Sequence, residues 1–300
     1  MDKYAPIVLF TYNRETHLKM TLDALKANRL AQESQLYIYS DGPKNPEDSR
    51  KIAAIRDYLK TIDGFKDISI VEREKNLGLA NSVITGVSDV VNRHGKVIVM
   101  EDDIVTSPFF LDYMNKLLDL YENESKIFSV CGYNYPTQGG DKSRIMLIPE
   151  DYTYDIFFSP RASPWGWATW KDRWDQIDWG CKEYYMFMAE DGMRSEIRAW
   201  GSDRDELLYA NIVQGQYDSW ALRWDFNIFM RGGLCVHPIK SYVNNIGNDA
   251  SGTHCSSNSK FFNETLSKKK DLRIPKKIFV DDRLRKEFLK IFNINCVEPA

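Results

Sequence analysis

The chain reads as an α/β protein with a mostly parallel sheet covered by helices on both faces. Three observations predict this. Apolar strands and amphipathic helices alternate over the first 130 residues. The strands are near-continuous apolar runs, as expected for strands buried on both faces. Polar clusters follow them directly, at "SDG" (40–42), "EKNLG" (74–78) and "EDD" (101–103). Open α/β sheets bind ligands at those strand ends.

Each element has a local reason. "PIVLFTY" (6–12) is a buried strand. "ETHLKMTLDALKAN" (15–28) places Leu18, Leu22 and Leu25 on one helix face. "QLYIYSDG" (35–42) is a second strand ending in a turn. The next helix starts with Asn45 as N-cap, Pro46 at its first position and Asp48 in its first turn. "ISIVERE" (68–74) is a third strand. "LGLANSVITGVSDVVNRH" (77–94) is a helix whose small residues admit close approach. "KVIVM" (96–100) is the fourth strand, and Ser107 and Pro108 open the helix "FFLDYMNKLLDLYEN". The second half is less regular. "RASPWGWATWKDRWDQIDW" (161–179) is an aromatic segment broken by Pro164 and Gly166. Residues 204–216 and 217–233 read as helices, and 244–255 as a polar loop. The expected organisation is a regular α/β half (1–130), an aromatic-rich half of the same domain (131–255) and a basic, partly helical extension (256–300).

Composition excludes several classes. A net charge of −3 does not mark a nucleic-acid binder. Five cysteines at no zinc or redox spacing read as reduced thiols of a cytoplasmic protein. A strand begins almost at once, so no signal peptide is expected, and no apolar run approaches the roughly 18 residues of a membrane span. Neither G-x-x-x-x-G-K-[ST] nor a G-x-G-x-x-G after the first strand is present.

The three acids after "VIVM" pose the main question. Adjacent carboxylates repel, and a cation or strong donors must neutralise them. Mg²⁺ and Mn²⁺ prefer oxygen ligands, accept one or two protein carboxylates and leave the rest to phosphate and water. The plainer reading is a solvated acidic turn before the next helix. The buried strand in front of "EDD" favours the ion, and an ion there would bridge a diphosphate.

Taken in order, "PIVLFTYNR", "YSDGPKN", "EKNLGLANSV", "VIVMEDD", "WGWATW", "DSWALRW" and "NNIGNDASGTH" resemble the nucleotide-sugar glycosyltransferases of the GT-A fold. The nearest type is the N-acetylglucosaminyltransferase I-like group with its bacterial sugar-transferase relatives. The resemblance covers roughly residues 5–255 and implies a Rossmann-like sheet with an aromatic-rich acceptor half. It implies that Thr11, Tyr12 and Arg14 line the nucleotide pocket, with Arg14 near base or phosphate. Asp41 would accept from uracil of a UDP-linked donor. Asn76 and Gly78 would lie near ribose and donor sugar. Glu101 and Asp102 would border the donor, and Asp103 would bind Mn²⁺ or Mg²⁺, with His254 as a further metal or diphosphate ligand. Trp165, Gly166 and Trp167 would pack beside the sugars together with Trp220. Asp218 would be the general base, with Asp191 and Asp225 in reserve. The chain departs from the animal enzyme at Ser219, where that enzyme has a second acid.

Plainer readings accompany these. Asp218 also suits the first turn of the following helix, although a place between Tyr217 and Trp220 would withdraw it from water. Trp170 and Trp174 read as core, and His17, His94 and His237 as structural. The stretch "KKKDLRIPKKIF" (268–279) reads as a solvated face; the alternative is a peripheral contact with an anionic membrane, at the inner face of a bacterial cell. The implied reaction is inverting transfer of a hexosyl or N-acetylhexosaminyl group from a UDP-sugar to a glycan or lipid-linked glycan, as in bacterial surface polysaccharide synthesis. Two other readings stand beside it: a nucleotidyltransferase, whose Gly-rich basic loop "TYNRETHL" lacks, and a non-catalytic carbohydrate-binding protein.

Overall fold

The computed structural model describes residues 3–137, 145–247 and 265–292. The expected alternation is present: β1 (Ile7–Thr11), α1 (Glu15–Lys26), β2 (Gln35–Ser40), α2 (Pro46–Leu59), β3 (Asp67–Glu72), α3 (Leu79–His94) and β4 (Lys96–Glu101). β1 pairs in parallel with β2 and β4, and β2 in parallel with β3. Side chains alternate across the pleat. Ile7 and Leu9 meet Leu18, Leu22 and Leu25 of α1, while Val8 and Phe10 meet Val83 and Val87 of α3. The Asn45 carboxamide accepts from the Asp48 amide at 2.9 Å, so the cap forms as the sequence predicts. At Gly86 any side chain would collide with the Phe10 ring, which explains a small residue on the buried face of α3.

Past β4 come β5 (Ile104–Thr106), α4 (Phe110–Leu120), β6 (Ile127–Cys131), β7 (Ile156–Ser159), β8 (Trp167–Trp170) and α5 (Lys171–Trp174). Then follow α6 (Tyr184–Ala189), α7 (Asp191–Arg198), α8 (Asp203–Ile212), α9 (Trp220–Met230), β9 (Leu234–Pro238), β10 (Val243–Asn245) and α10 (Asp282–Ile291). Eight strands form one sheet in the order β3-β2-β1-β4-β8-β6-β9-β7, and β5 with β10 makes a two-stranded antiparallel ribbon.

Two expectations need correction. The segment 161–179 contains β8, which lies inside the sheet and runs antiparallel to both β4 and β6. Four residues are too few to display a period, and Gly166, at φ +59°, turns the chain into the strand rather than ending one. The described part of the C-terminal extension, residues 265–292, is docked. The Tyr242 hydroxyl donates to the Lys269 carbonyl at 2.6 Å, and the Ser267 amide to the Ser241 carbonyl at 2.7 Å. Leu272, Ile274 and Ile278 pack on the main core, and α10 buries Leu284 and Phe288 against Phe157 and Trp200. No helix among the described residues is long and apolar enough to cross a membrane.

Candidate active site

The parallel strands end at one crevice, a cavity of about 290 Å³. β1 delivers Thr11, Tyr12 and Arg14; β2 delivers Asp41; the β3–α3 turn delivers Asn76 and Gly78; β4 delivers Glu101, Asp102 and Asp103. Trp165 and Trp220 close the opposite wall, and Asn245 of β10 reaches in from the late loop. The sequence places the first nine of these residues at strand ends, and the parallel pairing brings them together.

The acid cluster is withdrawn from water: Asp102 is 3% exposed and Asp103 6%. Asp102 accepts from the Thr11 hydroxyl at 3.1 Å and the Tyr12 amide at 3.3 Å through one oxygen, and pairs with Arg14 through the other. The same Arg14 nitrogen, Nη2, lies 2.9 Å from Asp103 Oδ2. Burial raises the Asp103 carboxyl, and Arg14 opposes that rise. Glu101, at the end of β4, has its carboxyl pushed up to about 8, first by burial and then by the charges of Asp103 and Asp102. Burial works against the Arg14 charge, and Asp102 and Asp103 hold it.

Ile246 and Gly247, just past β10, lie over these acids. The Ile246 amide donates to the Asp103 carbonyl at 2.9 Å, and a Cβ at Gly247 would collide with Asp103 Oδ2. Two buried carboxylates under a side-chain-free backbone suit a small, hard cation bound through oxygen. Among the described residues no group of three or more His, Cys, Asp or Glu is arranged around a metal position. The acid pair fits an ion that takes few protein ligands and completes its shell with phosphate and water. His254 lies outside the described residues.

Asp41 is held by backbone donors: the Leu77 amide lies 3.1 Å from each carboxylate oxygen, and the Gly42 amide 3.1 Å from Oδ1. Asn76 braces the same turn, donating to the Gly42 carbonyl at 2.9 Å and accepting from the Gly78 amide at 3.0 Å. Gly78 is the N-cap of α3 at φ +74°, with no side-chain cap, so the helix presents its first amides to the crevice. The Tyr12 hydroxyl donates to Asp48 at 2.7 Å and accepts from the Lys44 amide at 3.1 Å; burial, followed by the bond to Asp48, pushes it up to about 12.

The aromatic residues divide. Trp165 lines the crevice and packs edge-on against Tyr133. Trp220, 2% exposed, forms part of the wall and stacks on Trp167 at 5.2 Å. Trp167 is 1% exposed and contacts Trp174, Trp220 and Trp224, so its indole is core and not a floor of the crevice. The chain turns at Gly166, between Trp165 and the start of β8, so the two indoles part. Gly166 does not line the crevice either: its carbonyl accepts from the Gly132 amide at 2.7 Å, which fixes the entry to β8.

Asp218 is at the rim. Its side chain is 58% exposed and pairs with Arg223 at 3.0 Å, so it is not withdrawn from water as expected. A Cβ at Gly78 would stand 4.0 Å from its Oδ2, which places it across the mouth from the α3 N-terminus. Ser219 caps α9, accepting from the Leu222 amide at 3.3 Å. Asp225 is committed to Arg204 and to the Ala162 amide, each at 2.7 Å, and Asp191 is an exposed first-turn acid of α7. Sequence reasoning overlooked Lys44 and Asn245, which also line the crevice. Lys44 stands in "SDGPKN", two residues past Gly42, and its position at a strand end is the signal that points to it.

A model of the family described as glycosyl transferase family 2 matches residues 7–176, more than half of the chain. Several solved structures are similar in part. The mannosyltransferase PcManGT from Pyrobaculum calidifontis, in complex with GDP-Man and Mn²⁺, has 13% identity and a TM-score of 0.40 over 56% of this chain and 45% of its own. S. aureus TarS 1-349 has 10% identity and a TM-score of 0.43, over 82% and 61%. The glucosyl-3-phosphoglycerate synthase from Mycobacterium tuberculosis, in complex with Mn²⁺, UDP and glucosyl-3-phosphoglycerate, has 16% identity and a TM-score of 0.30, over 43% of each chain. The chain therefore spans less than two thirds of each of these proteins. No curated protein matches it.

Proposed function

Since the chain belongs to glycosyl transferase family 2, we propose that it is a metal-dependent, inverting glycosyltransferase that uses a UDP-sugar. Among GT-A-fold enzymes we group it with the N-acetylglucosaminyltransferase I-like and bacterial sugar transferases. One observation carries the reading: buried Asp102 and Asp103 follow β4 beneath Ile246 and Gly247, in the same crevice as Asp41 and the Asn76–Gly78 turn.

In this reading the nucleotide lies along the ends of β1 and β2. Asp41, its oxygens oriented by backbone amides, accepts from the base. Thr11, Tyr12 and Asn76 shape the pocket, and the α3 N-terminus at Gly78 faces the anionic part of the donor. Asp103 would hold Mn²⁺ or Mg²⁺, with His254 as a further ligand, while Glu101 and Asp102 border ribose and sugar. When bound there, such an ion would supply positive charge against the departing diphosphate. Asp218 takes the proton of an acceptor hydroxyl as that oxygen forms the new bond to the anomeric carbon. The bond to the diphosphate breaks on the opposite face, and its electron pair leaves with the phosphate. Trp165 and Trp220 offer apolar faces to the sugar rings.

The acceptor class we propose is a glycan or lipid-linked glycan of a bacterial surface polysaccharide, met at the inner face of the membrane. The lysines at 268, 269, 270, 276 and 277 are exposed, while Leu272, Ile274 and Ile278 anchor the segment from below. Each exposed lysine near an anionic surface contributes on the order of 1 kcal/mol.

The test is a thermal-shift series with UDP, GDP and their sugars, each with Mn²⁺ and with EDTA, on wild type and Asp103→Ala. A native-state ligand raises the melting temperature as its concentration passes its Kd. The expected result is stabilisation by UDP or a UDP-sugar only with metal, abolished in Asp103→Ala. No shift with any nucleotide and metal would return the acid cluster to a solvated turn.

A further inference from the structure

Arg14 occupies the place of a counter-cation. Its Nη2 engages Asp102 and Asp103 together, and its Nη1 is buried with no hydrogen-bond partner among the described residues. The side chain comes from the N-cap position of α1, one turn past the end of β1, and lines the crevice. The guanidinium is thus half satisfied. Its single charge faces two carboxylates, which it half neutralises, and one donor nitrogen still lacks an acceptor.

We propose that Arg14 is a placeholder cation that makes divalent-metal binding depend on the diphosphate of the nucleotide. This rests on the proposed function. An ion arriving alone at Asp103 meets an acid pair already engaged, and half neutralised, by the guanidinium. Binding through both acids displaces the guanidinium and leaves that charge buried without a partner, which is strongly unfavourable. A nucleoside diphosphate changes the balance. It supplies acceptor oxygens for Arg14, including its unpaired Nη1, in the strong geometry that guanidinium and phosphate share. The acids are then released toward the ion, and the two ligands favour each other. By linkage, the factor by which nucleotide tightens metal binding equals the factor by which metal tightens nucleotide binding. Such a site carries less net charge in the absence of ligands and resists loading with ions when no nucleotide is present.

The experiment titrates Mn²⁺ into the whole protein, following free Mn²⁺ by electron paramagnetic resonance, without nucleotide and with saturating UDP or GDP. Wild type is expected to bind Mn²⁺ at least tenfold more tightly with a nucleoside diphosphate. Arg14→Gln is expected to bind Mn²⁺ alone at least tenfold more tightly than wild type and to lose most of the nucleotide effect. Arg14→Lys keeps the charge and should stay near wild type in metal affinity without nucleotide. Circular dichroism melts establish that each variant is folded, and Arg14→Met takes the place of Arg14→Gln if the latter is not. Mn²⁺ affinity of Arg14→Gln equal to or below that of wild type, with nucleotide coupling intact, overturns the placeholder role and leaves the metal site standing. Absence of Mn²⁺ binding in every protein, with and without nucleotide, overturns the metal reading and the placeholder role together.

Discussion

Two buried clusters border the same crevice and are built on opposite principles. At the ends of β1 and β4, Asp102, Asp103 and Arg14 are charges taken out of water. Behind the far wall, Trp167, Trp174, Trp220 and Trp224 stack on one another and on Phe128. The aromatic cluster explains itself, because removing apolar area from water stabilises the fold directly. The acid cluster does not. Its desolvation cost is offset only by partners, and apolar residues of similar volume would often serve stability as well or better. A fold that keeps such a group at a strand-end crevice keeps it for what binds there.

The contrast can be broken first in the aromatic cluster. Trp224→Ala leaves a large void and is expected to cost about 3–5 kcal/mol of stability, read as the denaturation midpoint. A loss below about 1 kcal/mol would mean the cluster collapses without strain and is not the stabilising half of the pair.

Asp103→Asn tests the other side. Catalysed transfer should fall about 10²–10³-fold, the scale of losing metal-assisted charge stabilisation, while the denaturation midpoint stays close to wild type. A variant with normal turnover and a lower midpoint would reverse the assignment of roles.

Glu101 sharpens the comparison through pH. Its carboxyl is held near 8 in the folded chain against an ordinary value of 4.5. The folded state therefore binds the proton more tightly than the unfolded state, and stability present below pH 4.5 is lost as pH rises toward 8. Glu101→Gln mimics the protonated form. Its melting temperature should match wild type near pH 5 and exceed it by a few degrees at pH 8. Parallel curves would show that Glu101 ionises freely.

The smallest effect lies within the aromatic cluster. Trp174 donates to the Ser88 hydroxyl at 2.8 Å, whereas the Trp224 indole nitrogen has no partner among the described residues. Trp174→Phe should therefore cost about 1 kcal/mol more than Trp224→Phe. Equal costs would mean that the hydrogen bond adds nothing to the stacking.

The fold of the first half was legible because its signals are long and redundant. Strands such as "KVIVM" and "QLYIYS" are continuous apolar runs, and α1 and α3 show their buried faces at helical spacing. The ribbon of β5 and β10 was not legible. Each is three residues long, and what makes them strands is pairing across more than 130 residues of chain, which no local pattern records. Lys44 escaped for a related reason: a lone lysine in a turn carries no period.

The sequence by itself determined the α/β order, the Asn45 cap and the gathering of Asp41, Asn76, Gly78 and the three acids at one crevice. Once the strands are parallel their carboxyl ends must face one side, so position along the chain was enough. Tertiary structure decided what each side chain does there. Two residues separate Trp165, at the crevice, from Trp167, in the core, and the turn at Gly166 and the insertion of β8 beside β4 make the difference. The exposure of Asp218 follows from where α9 begins, and the pairing of Arg14 with both acids from the juxtaposition of β1 and β4. Contacts between residues about 90 positions apart in the chain depend on how the strands are ordered in the sheet, and that order is a property of the whole packed domain.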